Sequence, residues 1–300
     1  MRPVGILRLA LAVTAAAALA ACSGTAPPHH ASAPAPTYYL ALGDSLAQGV
    51  QPNASGTSVE TRAGYPDQVY AALRPSHPAL HLVKLGCPGE TTSTMISGGL
   101  CRYPGGSQLK AAESVLRAHR GRVLLVTIDI GANDPEACAG QQGGGRPGLS
   151  QLAACAVKGI PAAVTRLTTI MARLTAAAGP GVRIVGMNYY LPALAEWRQG
   201  LSGHLVAWAA ERLAATYNNL LGRVYTHYGA RVANVFGAFE TADFTVPGVQ
   251  GAQGSTPRNV ALLCQWTWEC AAPPRGPNQH ANQAGYRVIA RTFLQAAGLH

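Results

Sequence analysis

Along this chain, short runs that are apolar at nearly every position alternate with longer segments whose apolar residues recur at helical spacing. The runs are Tyr38 to Leu42, Leu80 to Leu85, Val123 to Ile130, Val182 to Asn188 and Arg231 to Val235. The helical segments are Tyr65 to Leu73, Gln108 to Ala118, Gly159 to Ala178, Gly203 to Tyr228 and Asn282 to Ala297. A continuous apolar run reads as a strand buried on both faces, and the amphipathic segments between supply the two covers. The pattern therefore predicts an α/β fold: a three-layer α/β/α sandwich around a central parallel sheet. Three stretches break the rhythm: Gly98 to Gly106, the glycine-rich Ala137 to Leu149, and Thr241 to Pro277 with Trp266 and Trp268. Irregular stretches of such length in a compact domain are functional or disordered in most proteins. The cysteines in or beside each of them argue for order.

The first residues stand apart from this alternation. Arg2 and Arg8 precede an apolar stretch that ends in Leu19-Ala20-Ala21-Cys22. A basic start, a short apolar core and small residues at a cleavage point describe an export signal, and the apolar stretch is short for a membrane span. Leu-Ala-Ala-Cys resembles a bacterial lipobox, which implies that Cys22 becomes the lipidated first residue of the mature chain; an ordinary signal peptide is the alternative. Proline- and alanine-rich residues to Thr37 have no hydrophobic period and read as a tether. The division is thus residues 1–21 signal, 22–37 tether and 38–300 a single domain. The product is exported, either anchored by lipid to the outer face of the membrane or secreted.

Without Cys22, six cysteines remain. An even number in an exported protein points to disulfides, and closeness along the chain favours Cys87–Cys101, Cys138–Cys155 and Cys264–Cys270. No CxxC pair is present and no histidine stands at ligand spacing beside a cysteine pair, which argues against zinc. The net charge is +10, or +8 once Arg2 and Arg8 leave. Its arginines are scattered singly, whereas a nucleic-acid surface would cluster them. No nucleic-acid partner is expected.

Chemistry concentrates where the strands end. Gly43-Asp44-Ser45-Leu46 closes the first apolar run and puts a hydroxyl at the carboxyl edge of the sheet, the edge at which open α/β sheets bind ligands. A serine hydroxyl needs a base to become a nucleophile. His280, in Pro277-Asn278-Gln279-His280-Ala281-Asn282 just ahead of the last helix, is the candidate. Acyl transfer also needs donors for the negative charge that develops on the carbonyl oxygen. Gly89 after the second run, the Asn133 carboxamide after the third, and the Ser45 N–H could supply them. Asp44 and Asp134 are expected to brace their turns.

These blocks, Gly43-Asp44-Ser45-Leu46, Gly89, Gly131-Ala132-Asn133-Asp134 and His280 ahead of Gly285-Tyr286, resemble those of the SGNH hydrolase superfamily, the GDSL esterases and lipases. They occur in the family's order over nearly the whole mature chain. The resemblance implies a flavodoxin-like sandwich with Ser45 as nucleophile, His280 as base and an oxyanion hole from Ser45, Gly89 and Asn133. It further implies hydrolysis of carboxylic esters with no metal or organic cofactor. One position departs from the family. The aspartate that many members carry three residues before the histidine is Pro277 here. The Pro277 carbonyl, Asn278 or Asp243 could orient the ring instead, and the carbonyl is the favoured choice. A carbonyl stabilises imidazolium less than a carboxylate does, so an active dyad with a higher pH optimum than triad relatives is expected.

Asn188, Tyr189 and Tyr190 follow the fourth run and, with Trp266 and Trp268, are candidates for the substrate pocket. The expected enzyme is a monomer acting on a small-molecule or lipid ester, with the membrane as partner through Cys22. An acyltransferase using the same acyl-enzyme, or a surface binding module that has lost its chemistry, are the competing readings.

Overall fold

The computed structural model describes residues 37–135, 149–246 and 256–299. The signal, all of the tether but Thr37, and Cys22 lie outside these residues, as do the side chains of the Cys138–Cys155 pairing. Five parallel strands form the sheet: β1 (Thr37–Gly43), β4 (Leu80–Lys84), β5 (Val123–Asp129), β6 (Arg183–Met187) and β7 (Arg231–Ala233), in the order β4-β1-β5-β6-β7. Two short antiparallel pairs stand outside it, β2 (Gln51–Pro52) with β3 (Ser58–Val59), and β8 (Thr267–Trp268) with β9 (Asn278–Ala281).

The helices are α1 (Ser45–Gln48), α2 (Tyr65–Leu73), α3 (Thr92–Ser97), α4 (Gln108–Ala118), α5 (Leu149–Ala178), α6 (Leu201–His227), α7 (Val235–Ala238), α8 (Arg258–Trp266) and α9 (Gln283–Ala297), with a 3-10 helix at Pro192–Gln199. Helix α2 packs against α9, while α4, α5 and α6 pack in sequence against one another. This division follows from the strand order. The connection from β1 runs outward through α2 to β4, and the chain then returns across β1 to β5. Right-handed crossovers in opposite directions place their helices on opposite faces. The expected three-layer α/β sandwich is the observed fold, and its strand order is the flavodoxin-like 2-1-3-4-5.

Leu40, Leu42, Leu125, Val126 and Ile128 of the two central strands are wholly buried, which accounts for their unbroken apolar runs. At the carboxyl edge the strands are held by side-chain amides. Gln108 accepts from the Gly43 N–H at 2.7 Å and donates to the Gly43 carbonyl at 2.9 Å. Asn218 does the same for Tyr189, both bonds at 2.9 Å. Each amide imitates a neighbouring strand where the real one has ended. Gly43 itself has φ +134°, and a Cβ there would stand 2.1 Å from the Asp129 carbonyl oxygen, so no other residue fits.

Disulfides join Cys87 to Cys101 and Cys264 to Cys270, as expected. The stretch Thr241 to Pro277, expected to be irregular, instead contains α8 and β8. The indole of Trp266 packs edge-on against Phe239, and its carbonyl accepts the Asn282 N–H.

Candidate active site

The strand order brings the sequence blocks together. β1 lies between β4 and β5, so the turn carrying Ser45 is flanked by the segments that follow those two strands. The crevice between β1 and β5 is the topological switch point, where ligands bind in sheets of this order. Ser45 opens helix α1. The carboxylate of Asp44 caps that helix by accepting the Leu46 N–H at 2.9 Å. Beneath it the Asp44 N–H meets Asp129, at 3.1 Å to its carbonyl and 3.3 Å to Oδ2. Tyr65 donates its hydroxyl to Asp129 Oδ1 at 2.5 Å. Burial raises the Asp129 carboxyl well above its usual range, helped by the charge and hydrogen bond of Asp44.

Asn133 donates to the Glu90 carbonyl at 2.9 Å, which ties the turn after β5 to the one after β4 and leaves its second amide hydrogen for another acceptor. Asp134 takes the Thr92 N–H at 2.9 Å and the Thr92 hydroxyl at 2.5 Å, so it braces the start of α3. Burial holds its carboxyl above the usual range. Gly89, beside Glu90, has φ +80° and is exposed.

His280 stands on β9, whose partner strand β8 places Trp268 opposite Asn278. Its Nδ1 lies 2.7 Å from Asn278 Oδ1, and its backbone N–H donates to the same oxygen at 3.1 Å. The second bond decides the first. A backbone N–H can only donate, so the oxygen of the amide faces the histidine and Nδ1 carries the proton. Asn278 Nδ2 meanwhile donates to Ser58 Oγ at 2.9 Å. Nε2 is left with its lone pair free to act as a base. Burial pushes the ring down to about 4.

Ser45, Asn133 and His280 line one cavity of about 440 Å³, with Asp44, Tyr189 and Tyr190. Its further wall is apolar, made by Ile160 of α5 and by Val206, Ala209, Ala210, Leu213 and Ala214 of α6. Tyr190 also donates its hydroxyl to the Gln279 carbonyl at 2.8 Å and so holds the strand that carries His280.

Several expectations need correction. The Pro277 carbonyl does not hold the ring; the Asn278 side chain does, because an asparagine readily bonds the N–H two residues ahead and here reaches the imidazole as well. Asp243 is occupied by the N–H and hydroxyl of Thr245. In place of a higher pH optimum, an acid limb below the ordinary histidine value is expected, since burial favours the neutral ring. Asn188 joins Asn234 and the Phe236 N–H instead of lining the cavity. Trp266 and Trp268 are likewise absent from its wall: Trp266 closes α8 and packs edge-on against Phe239, and Trp268 Nε1 donates to Gln51 at 3.3 Å. Sequence reasoning missed Gln108, Asn218 and the whole α6 wall. The only signal for that wall was the recurrence of apolar residues at helical spacing, Val206, Ala209, Ala210, Leu213 and Ala214.

The family model of GDSL-like lipases and acylhydrolases matches residues 41–288. The chain belongs to this family. Among solved structures it is similar to an extracellular lipase from Streptomyces rimosus, at 20% identity and TM-score 0.56, covering 87% of this chain and 99% of that one. It is also similar to a lipase from a goat rumen metagenome, at 14% identity and TM-score 0.54, covering 87% and 97%. An acetylxylan esterase from Geobacillus stearothermophilus follows at 16% identity and TM-score 0.52, covering 88% and 95%. At these identities the likeness concerns the fold. No curated protein matches the sequence.

Proposed function

We propose that this family member is an exported serine esterase that hydrolyses carboxylic esters with apolar acyl groups through an acyl-serine intermediate. In this reading it acts as a monomer, held to the outer face of the membrane by a lipid on Cys22. The observation that carries the catalytic part is the histidine whose Nδ1 proton is pinned by Asn278, opening onto the same cavity as Ser45. The lipobox-like start of the chain supports the anchor.

In this mechanism Nε2 of His280 takes the proton from Ser45 Oγ as the oxygen bonds to the ester carbonyl carbon. The carbonyl electrons move to its oxygen, which accepts hydrogen bonds from the Ser45 and Gly89 N–H groups and from the Asn133 amide. Each such donor typically contributes about 2.7–4 kcal/mol to the transition state. The intermediate then reforms the carbonyl and expels the alcohol, which takes the proton from His280. Water repeats the sequence on the acyl-serine, with Nε2 as its base, and releases the acid. Asp44 and Asp129 keep the serine turn in place and transfer no proton to substrate.

A series of nitrophenyl esters of increasing acyl length, with the parent and Ser45→Ala, tests this reading together with fluorophosphonate labelling. Turnover and labelling by the parent, both lost in Ser45→Ala, are expected. A folded parent that neither labels nor turns over any ester would favour a binding module.

A further inference from the structure

Among the described residues, seven large apolar side chains are exposed, and four of them belong to the first half of α6. Leu201 is 82% exposed, Leu205 72% and Trp208 53%. Their spacing of four and three residues puts them on one line along the helix. Soluble surfaces seldom keep such side chains together unless something covers them. Among the described residues no helix is long and apolar enough to cross a membrane.

Two further observations say what covers it. First, the face is continuous with the cavity: Ala209 and Leu213 are exposed and also line the wall near Ser45 and His280. Second, the exposed charges beside it are positive, although the half-buried Glu196 stands in the 3-10 helix just before α6. Arg212 lies over the Trp208 ring, 5.3 Å from its centroid, and Arg198 is exposed at the end of the 3-10 helix just before α6. From Leu201 to Asn218 the one acid is Glu211, which is buried and paired with Arg212 at 3.5 Å. An aromatic, two leucines and flanking arginines fit the boundary between head groups and acyl chains of an anionic bilayer. A second copy of this chain would bring arginines against arginines.

We propose that the first half of α6 docks the enzyme on an anionic lipid bilayer, so that ester chains enter the cavity past Ala209 and Leu213 directly from the lipid. This rests on the esterase reading above and deepens it: the substrates are esters resident in a membrane. Leu201, Leu205 and Trp208 touch no part of the catalytic cavity, so docking and chemistry separate by mutation.

The test uses the full chain with Cys22→Ser in every arm, so that no attached lipid contributes. Vesicles are equal parts phosphatidylcholine and phosphatidylglycerol, with brominated acyl chains to quench tryptophan. The parent should be quenched, and Trp208→Phe should remove most of that quenching, whatever the start of the chain does. The variant Leu201→Ser, Leu205→Ser, Trp208→Ser should hydrolyse a soluble short-chain nitrophenyl ester like the parent. On a long-chain ester dispersed in the vesicles it should lose at least about tenfold, since each methylene withdrawn from lipid is worth roughly fourfold.

Equal rates of the two proteins on the vesicle ester would overturn the proposal, as would quenching that survives Trp208→Phe. So would sedimentation showing a parent dimer that the triple variant dissolves, because the face would then be a self-association surface. Quenching as strong with pure phosphatidylcholine overturns the role given to the arginines. A parent inactive on every soluble ester sinks the esterase reading instead, and the quenching result still stands apart from it.

Discussion

One oxygen of Asn278 accepts both the ring Nδ1–H of His280, at 2.7 Å, and its backbone N–H, at 3.1 Å. A neutral amide thus fills the place where a carboxylate often stands. Asn278→Ala should lower kcat by about tenfold to a hundredfold, a part of the 10²–10⁴ that a positioned base contributes, with little change in KM. Asn278→Asp puts a negative charge beside the ring, favours the imidazolium and moves the acid limb of the pH profile upward. Profiles of kcat/KM and an NMR titration of His280 check both. An acid limb that stays in place in Asn278→Asp would mean that Asn278 does not govern the ring.

The pH dependence has two opposed parts. His280 is depressed to about 4, below its ordinary value of 6.5. Its neutral form therefore remains available for catalysis down to about pH 5, and kcat/KM should decline only as pH approaches 4. The stability linked to this group is present above its unfolded value and is lost as pH falls through the folded one. Asp129 has the opposite sign, being raised by burial and by Asp44. Its contribution is complete below the ordinary carboxyl range and is lost as pH rises through the elevated value. Thermal melts of Asp129→Asn should show a smaller loss of Tm on the alkaline side than the parent, because the amide has no proton to give up. The Asp44 N–H keeps its bond to the backbone carbonyl of residue 129 in that variant.

The Gln108 amide satisfies both backbone groups of Gly43 and also donates to Glu90 at 2.9 Å. Gln108→Ala leaves the buried Gly43 N–H without a partner, at about 1–3 kcal/mol, while the Gly43 carbonyl keeps its bond from the Cys87 N–H at 3.0 Å. Gly43→Ala forces a methyl group into the Asp129 backbone and should cost at least about 3 kcal/mol, the upper end of overpacking in cores. Urea unfolding measures both. A Gly43→Ala protein of parental stability would contradict the close approach of β1 and β5.

Ala210 and Ala214 form part of the apolar cavity wall. Ala210→Phe should spare acetyl esters and penalise longer acyl groups, by roughly fourfold for each methylene that no longer finds apolar cover. Rates across a series of acyl lengths read this out. A uniform loss at every length would place the residue outside the acyl path.

Much of the architecture could be read from the chain because buried parallel strands have no polar side and so print an unbroken apolar run. Val123 to Ile130 and Gln108 to Ala118 were placed almost to the residue for this reason. Ser45, Asn133 and His280 were legible because each follows a recognisable strand or precedes a recognisable helix. What surrounds them was not. Trp266 and Trp268 look like pocket residues until the fold packs Trp266 against Phe239 and gives the Trp268 Nε1–H to Gln51. The choice between the Pro277 carbonyl and Asn278 depended on a turn that neighbouring residues alone do not decide. The α6 wall lies in sequence far from every catalytic block, and only the packing of α6 beside α5 brings it in.

Tyr190 belongs to two structures at once. Its ring forms part of the cavity wall and stacks on Phe239 at 4.6 Å, while its hydroxyl ties down the strand that carries His280 through Gln279. Selectivity and turnover are therefore mechanically joined at this one side chain. Anyone trimming it to admit a bulkier substrate also unfastens the imidazole, so room for new substrates is better sought at Ala210 and Ala214, whose side chains have no polar atom to tie anything down.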